Sequence, residues 1–344
     1  MNRPVIQESD YIEFLLAAQR AFDCVSAAQT QPEALQSVAH DAYTRLLTRR
    51  PLDPEALWNE AQLVVGTAVQ KGGLLILDDT TLDKPYAQKM ELVSRHWSGK
   101  HKRVVWGINL LSLVWTHTGT GETMPVVVPC DFRVYDINSD SNGIHHTKND
   151  HFCALLQRAK ERGFAPEYVA FDSWYSGLSN LKLLRGLDYR FLTRLKSNRL
   201  VNPDKSGLVE VSTLAAPPEG LVVHLKGFGL VRLFQHATPD GQLEHWATND
   251  LLMTAHKWRE LARSCWRIES YHRGLKQCCG VERAQVRSAT GQKNHLLLCL
   301  RAFLRLEANR LKTGLSWYQA KANLLLDAIK SARTKHCFAL TPTA

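Results

Sequence analysis

The stretch WRIESYHRGLK, residues 266–276, lies in a window in which apolar residues recur every three or four positions. These apolar positions are Trp258, Leu261, Cys265, Ile268, Leu275 and Cys279. Their spacing predicts an amphipathic helix with one face against a core. Glu269 and Lys276 are two turns apart, which places them within ~20° of each other beside the apolar face. Because a carboxylate at such a margin needs compensation, Glu269 is either the ion-pair partner of Lys276 or part of a functional site.

Aspartates that follow two upstream strands favour the functional interpretation. The apolar run LLIL, residues 74–77, leads into Asp78 and Asp79, and the run YVAF, residues 168–171, leads into Asp172. A single aspartate in such a place is often only a turn or a helix cap. Adjacent strand ends lie ~5 Å apart, however, so aspartates at two such ends can share a metal ion.

Two aspartates and a glutamate in this order indicate metal-dependent chemistry on phosphodiesters. Carboxylate oxygens are the ligands that Mg²⁺ prefers in proteins. We expect two Mg²⁺ ions, which Mn²⁺ can replace, to activate a nucleophile and to stabilise the leaving oxygen.

The order of the predicted elements indicates the fold class. Three antiparallel strands, the first of them leading into Asp79, precede a helix with Asn149 as its N-cap, the strand before Asp172, another helix and a strand over residues 189–195. This order is typical of an RNase H-like fold, so the predicted class is mixed α/β. The predicted parts are a helical N-terminal segment (1–70), a catalytic core (71–196 and 251–290), a β-rich insertion before the glutamate helix (197–250) and C-terminal helices (291–344). The N-terminal segment is either a DNA-binding bundle or a structural cap.

The composition indicates a polyanionic partner. The chain has 344 residues, a net charge of +10 and a pI of about 9.2. This balance fits nucleic acid best, although a basic protein of another class would look the same. No apolar run approaches the ~18 residues of a membrane span, and the N-terminus has no apolar signal-peptide core. The eight cysteines include no CxxC pair, so we expect a reducing, cytoplasmic compartment.

Three motifs together resemble a known family. They are Asp-Asp-Thr-Thr at 78–81, Phe-Asp at 171–172, and Trp-Arg-Ile-Glu at 266–269 with Lys276 seven residues after the glutamate. The combination resembles bacterial insertion-sequence transposases of the DDE type, which are RNase H-like, and among them the IS-four superfamily with its Tyr-Arg-Glu-Lys signature. The resemblance covers residues 72–310 or so, and the signature is incomplete, because its tyrosine and arginine positions are Ala262 and Cys265 here.

The resemblance implies roles for individual residues. Asp79, which directly precedes the Thr-Thr pair, is implied as the first catalytic and metal-binding carboxylate in preference to Asp78. Asp172 and Glu269 are implied as the second and third. The implied DNA-binding residues are Arg194 and Lys196 in the strand FLTRLK, Arg273, Lys276 and Trp246. Trp246 is implied to stack on a flipped base, and the alternative is that it is a core residue.

The function implied by the resemblance is that of a cut-and-paste DNA transposase, which cleaves transposon ends and transfers strands into target DNA. One alternative is a structure-selective nuclease of the same fold that cuts without joining. Another is a domesticated DNA-binding protein that has lost the chemistry. The implied partner is double-stranded DNA, as terminal inverted repeats and as target, bound by a homodimer. We expect no membrane contact and a place at the bacterial nucleoid.

Overall fold

The computed structural model describes residues 6–20, 23–32, 38–87, 89–99, 101–117, 125–137, 140–141, 144–238 and 241–335. The helices are α1 (Glu8–Ala17), α2 (Cys24–Gln29), α3 (His40–Thr48), α4 (Glu55–Val65), α5 (Lys148–Glu161), α6 (Leu178–Gly186), α7 (Ala255–Cys278), α8 (Ala289–Thr313) and α9 (Trp317–Thr334). The first seven strands are β1 (Leu74–Asp83), β2 (Ser94–Ser98), β3 (Arg103–His117), β4 (Val126–Tyr135), β5 (Asp140–Ser141), β6 (Ile144–His145) and β7 (Tyr168–Phe171). The remaining strands are β8 (Phe191–Leu195), β9 (Leu200–Asn202), β10 (Val209–Glu210), β11 (Leu221–Leu225), β12 (Gly229–Ala237) and β13 (Leu243–Thr248). Among these residues no helix has the length and apolar character that a membrane span requires.

The chain forms two compact units. The first comprises Met1–Pro54, Lys89–Glu91 and Arg273–Ala344, and the second comprises Glu55–Gln88 and Leu92–His272. The first unit is helical, and its α8 is buried along most of its length. In that unit, Asn294 of α8 donates a hydrogen bond to the carbonyl of Leu47 at 2.7 Å, and Tyr11 Oη lies 3.1 Å from His295 Nδ1. These contacts join α8 to α1 and α3.

The second unit contains one mixed sheet with the order β10-β9-β11-β12-β13-β8-β7-β1-β3-β2, and β4 also pairs with β3. Strand β1 is central, with β7 parallel on one side and β3 antiparallel on the other. The strands of the β-rich insertion continue this sheet, because β13 pairs with β8. The predicted mixed α/β class, with an RNase H-like core and helical ends, is confirmed.

Strand β1 is longer than the sequence predicts. The apolar run was expected to end before Asp78, but β1 continues through both aspartates to Asp83. It does so because β3 pairs with it along its whole length, from Leu74 opposite Thr116 to Asp83 opposite Gly107. Asp78 and Asp79 are therefore neighbours within a strand, and their side chains point to opposite faces of the sheet.

The start of α5 also differs from the prediction. Asn149 is not the N-cap; Thr147 is, and its hydroxyl accepts a hydrogen bond from the backbone N–H of Asp150. Asp150 Oδ2 in turn accepts from the backbone N–H of Thr147 at 2.7 Å, which completes a capping box. The shift matters because it makes Lys148 the first residue of the helix.

The pairing of β1 with β3 gives a test of the fold. A Cβ atom on Gly107 would lie 2.6 Å from the carbonyl oxygen of Leu82 and 2.7 Å from Cγ2 of Thr81. We expect Gly107→Ala to lower the free energy of unfolding by about 1–3 kcal/mol, because the methyl group forces the two strands apart. Urea unfolding measures the change. Gly99→Ala is the matched control, since a Cβ atom there meets nothing within 4 Å; an equal loss in both variants would contradict the steric explanation.

Candidate active site

The register between β1 and β7 brings two aspartates together. The last residues paired in this parallel ladder are Leu77 and Phe171, and Asp78 and Asp172 directly follow them. Neighbouring strands lie about 4.8 Å apart, so the two carboxylates leave the sheet side by side. Asp172 also caps a short 3₁₀ turn, in which the backbone N–H of Trp174 donates to Asp172 Oδ1 at 2.9 Å. This bond fixes the direction of the Asp172 side chain.

Helix α7 carries the third carboxylate and is fastened to the sheet. Arg267 donates to Oγ1 of Thr116 at 2.9 Å, and the hydroxyl groups of Tyr271 and Ser112 lie 3.3 Å apart. Nearer the start of the helix, Trp258 and Phe234 stack with ring centroids 4.9 Å apart. The predicted apolar face is buried in this part of α7, at Trp258, Leu261 and Ile268. The helix therefore holds Glu269 at a defined position beside the sheet.

Asp78, Asp172 and Glu269 line one pocket of about 210 Å³. Its ionisable lining residues are Asp78, Asp172, Arg194, Glu244 and Glu269. Glu269 itself is exposed to solvent. Trp246 and Trp266 provide aromatic walls, and Ala262 and Cys265, at the tyrosine and arginine positions of the signature, also line the pocket. The guanidinium that lines the pocket is that of Arg194 in β8.

The carboxylates in and beside the pocket repel one another. Burial raises the pKa of Asp78 well above its usual value, and the charges of Asp79, Asp172 and Glu269 raise it further. Burial is also the main cause of the raised pKa of Asp172, followed by the charge of Asp79. Full ionisation of the group therefore costs free energy, and a cation in the pocket would relieve that cost.

Arg194 is held by a neighbouring glutamate. Its Nη1 lies 2.7 Å from Oε1 of Glu244, and the other carboxylate oxygen of Glu244 accepts from Nε1 of Trp246 at 3.1 Å. The guanidinium carbon lies 5.8 Å from the centre of the Trp246 ring. Burial lowers the pKa of Arg194, but the hydrogen bond and charge of Glu244 outweigh it and leave the pKa raised. Glu244 thus orients both Arg194 and Trp246 in the pocket.

Asp79 lies in a different environment. Its Oδ1 accepts a hydrogen bond from Tyr175 at 2.6 Å, and its Oδ2 accepts from Asn109 at 2.6 Å and from Lys148 at 2.8 Å. Burial raises the pKa of Asp79, but the charge of Lys148 and these three hydrogen bonds lower it by more, so the pKa is below its usual value. Asp79 does not line the pocket. Asp78 thus lines the pocket, whereas Asp79, the first carboxylate predicted from the sequence, is bound by Tyr175, Asn109 and Lys148. The charge of Asp79 nevertheless reaches Asp172 and raises its pKa, so the choice of Asp79 stays a prediction.

The other predicted residues lie in several places. Lys196 follows β8 and is exposed, with its Nζ 5.3 Å from the ring centre of Trp174. Arg273 and Lys276 belong to the first unit, where Arg273 is exposed and Lys276 Nζ lies 3.3 Å from Glu282 Oε1. Of the predicted DNA-binding residues, Arg194 and Trp246 therefore line the pocket together with the carboxylates.

Sequence reasoning did not single out Glu244, Lys148, Tyr175 or Asn109. His272 is a further buried neighbour, with Nδ1 4.0 Å from Oδ2 of Asp78. The sequence carried one usable signal, since the side chains of adjacent strand residues point to opposite faces of a sheet. It carried no signal for the partners of Asp79, which come from three separate elements.

The donors in the pocket suit a hard divalent cation, because carboxylate oxygens are the usual ligands of Mg²⁺. Burial and neighbouring carboxylates raise the pKa values of Asp78 and Asp172, and a bound cation would offset both effects. Within the described ranges, however, no group of three His, Cys, Asp or Glu side chains is spaced to hold one ion. The residues fit the ion in the chemistry of their donor atoms.

Comparison with known proteins gives one family. A family model described as "Transposase DDE domain" matches residues 70–305, more than half of the chain. The matched range includes Asp78, Asp172 and Glu269, together with Arg194 and Trp246. No curated protein shows significant similarity to the chain.

The opposite environments of the two aspartates predict opposite effects on stability. Without divalent ions and near neutral pH, Asp78→Asn should raise the melting temperature, because the pKa of Asp78 is raised in the folded state and its ionised form is penalised there. Asp79→Asn should lower the free energy of unfolding by about 2–4 kcal/mol, because Lys148 loses its partner. Thermal and urea unfolding in EDTA measure both changes.

The two effects should also shrink on acidification. The pKa of an aspartate in the unfolded chain is about 3.9. At a pH above this value, an aspartate with a raised pKa in the folded state destabilises the fold, and one with a lowered pKa stabilises it. As the pH falls towards about 4, Asp78 becomes protonated in both states and the gain from Asp78→Asn disappears. The loss from Asp79→Asn persists to a lower pH, through the depressed folded-state pKa. Equal melting temperatures for the two variants at every pH would contradict this assignment of environments.

Proposed function

Because this chain belongs to the transposase DDE domain family, we propose that it cleaves DNA at the ends of a mobile element and joins the freed ends to target DNA. The proposed acidic residues are Asp78, Asp172 and Glu269. We further propose a cut-and-paste pathway on terminal inverted repeats, carried out by a homodimer on DNA.

One observation supports this proposal more strongly than any other. Asp78, Asp172 and Glu269 come from a strand, a strand end and a helix, and they line one pocket together with Arg194. Burying carboxylates side by side destabilises a protein unless the group binds something positive. A protein that only bound DNA would have no use for this arrangement, so the pocket supports catalysis over simple binding.

Asp78, Asp172 and Glu269 would hold divalent ions, with Mg²⁺ the first candidate and Mn²⁺ a substitute. When bound, such ions supply the positive charge that activates a nucleophile and stabilises the leaving oxygen. Arg194, oriented by Glu244, presents a guanidinium to a phosphate oxygen at the same pocket. Trp246 offers an aromatic wall on which a displaced base can stack. Lys196, Arg273 and Lys276 remain proposed phosphate contacts outside this pocket.

The proposed acidic residues can be tested one at a time. The substrate is a duplex that carries one end of the element with its flanking DNA, and Mg²⁺-dependent strand cleavage is measured. Asp78→Asn and Glu269→Gln should each slow cleavage by at least about 10²–10³-fold, because the charge that positions the cation is lost. Binding of the same duplex in EDTA should stay within about twofold, since phosphate contacts come from other residues.

Asp79→Asn is the matched control for Asp78→Asn, because both changes remove one carboxylate charge from the same strand. Below its melting temperature Asp79→Asn should keep cleavage within about tenfold of the unchanged protein. Wild-type cleavage by Asp78→Asn would remove that residue from the site. Cleavage lost only in Asp79→Asn would restore the choice made from the sequence.

Joining separates a transposase from a nuclease of the same fold. With a pre-cleaved element end bearing a 3′-hydroxyl and a supercoiled plasmid as target, we expect covalently joined products. Asp172→Asn should abolish them, because the same carboxylates serve both steps of the proposed reaction. Cleavage without any joined product, under conditions in which both DNAs are bound, would support the structure-selective nuclease instead.

A further inference from the structure

Trp174 is a large aromatic side chain that the proposed reaction leaves without a role. It lies two residues after Asp172, and 57% of it is exposed to solvent. Its backbone N–H donates to the Asp172 carboxylate, so the position of residue 174 is tied to the candidate active site. Its side chain, in contrast, is not part of the core. A tryptophan with more than half of its surface in water stabilises the fold little, so the ring is available for contact with a ligand.

Two lysines from separate elements flank the Trp174 ring. Lys148 Nζ lies 5.9 Å from the ring centre, and Lys196 Nζ lies 5.3 Å from it. Both distances are within the range of cation–π attraction. Lys148 begins α5 and is held by Asp79, whereas Lys196 directly follows β8. One exposed indole thus lies beside two ammonium groups that the fold supplies independently of each other.

The chemistry of this group matches a nucleotide chain. Single-stranded nucleic acids are bound by an aromatic face that stacks on a base and by positive charges that contact the phosphates around it. A base within a duplex is already stacked on both sides and cannot lie on a protein ring. The group therefore fits unpaired nucleotides better than a continuous double helix.

We propose that Trp174, Lys148 and Lys196 bind unpaired nucleotides of the DNA next to the phosphate that is cut. The base stacks on the indole, and the two ammonium groups contact the phosphates around that base. This inference rests on the proposed function, which supplies the DNA end and the adjacent pocket. It adds a binding subsite for strand that has separated from the duplex.

The test uses the full chain in EDTA, so that no cleavage takes place. The probe is a short fluorescein-labelled oligothymidine, and its dissociation constant is measured by fluorescence anisotropy. Trp174→Leu should weaken binding by roughly 10-fold, which is the usual effect of losing one base–aromatic stack. Trp174→Phe keeps a flat ring and should stay within about threefold of the unchanged protein. A paired duplex of the same length should be affected less than about twofold by either change.

Trp97→Leu is the matched control, because Trp97 is also a strongly exposed tryptophan, at 66%, on a strand of the same unit. It should leave oligothymidine binding unchanged, and thermal unfolding should show that all three variants remain folded. Lys196→Gln should reduce the slope of log affinity against log salt by about 0.7, as expected for one lost phosphate contact with a single strand.

The inference is overturned if folded Trp174→Leu binds oligothymidine as well as the unchanged protein does. It is also overturned if either Trp174→Phe or Trp97→Leu loses as much affinity as Trp174→Leu. These outcomes are independent of the cleavage experiments, which need Mg²⁺ and the carboxylates of the pocket. Stacking without any cleavage would refute the proposed function alone, and cleavage without stacking would refute this inference alone.

Discussion

The alternation of side chains along β1 is the constraint on which the candidate site depends. Two successive aspartates in a strand must face opposite sides of the sheet. Asp78 therefore meets Asp172 and Glu269 in the pocket, while Asp79 meets Lys148, Tyr175 and Asn109. The pairing of β1 with β3 continues past both residues, so the strand holds them on opposite faces.

The environments of Asp78 and Asp79 have opposite electrostatic character, and we interpret the second as compensating for the first. On one face, burial and the charges of neighbouring carboxylates, that of Asp79 first among them, raise the pKa values of Asp78 and Asp172. On the other face a lysine and three hydrogen bonds hold the pKa of Asp79 down. The favourable contacts of Asp79 anchor the same strand that must carry the unfavourable charge of Asp78. The cost of burying Asp78 is thus offset by the contacts of the neighbouring residue on the same strand.

Much of the fold follows from local patterns, whereas the details of the site do not. The apolar spacing of α7 and the strand before Asp172 are properties of short segments, so the sequence predicts them. The predicted end of β1 was wrong because a polar run such as DDTTLD resembles a turn. Only its pairing with β3 makes this run part of the strand. The choice between Asp78 and Asp79 depends on that same pairing. The catalytic roles of Asp172 and Glu269 stay predictions, although their proximity in one pocket agrees with them.

Residue 174 makes two kinds of contact through different atoms. Its amide holds the Asp172 carboxylate, and its side chain points to solvent beside two lysines. Every amino acid except proline can supply the amide. Variation at this position can therefore change what the surface recognises while the carboxylate keeps its orientation. If Trp174 binds unpaired nucleotides as proposed, substitutions at this position in an evolving or engineered member of the family change substrate preference while the hydrogen bond to Asp172 is kept.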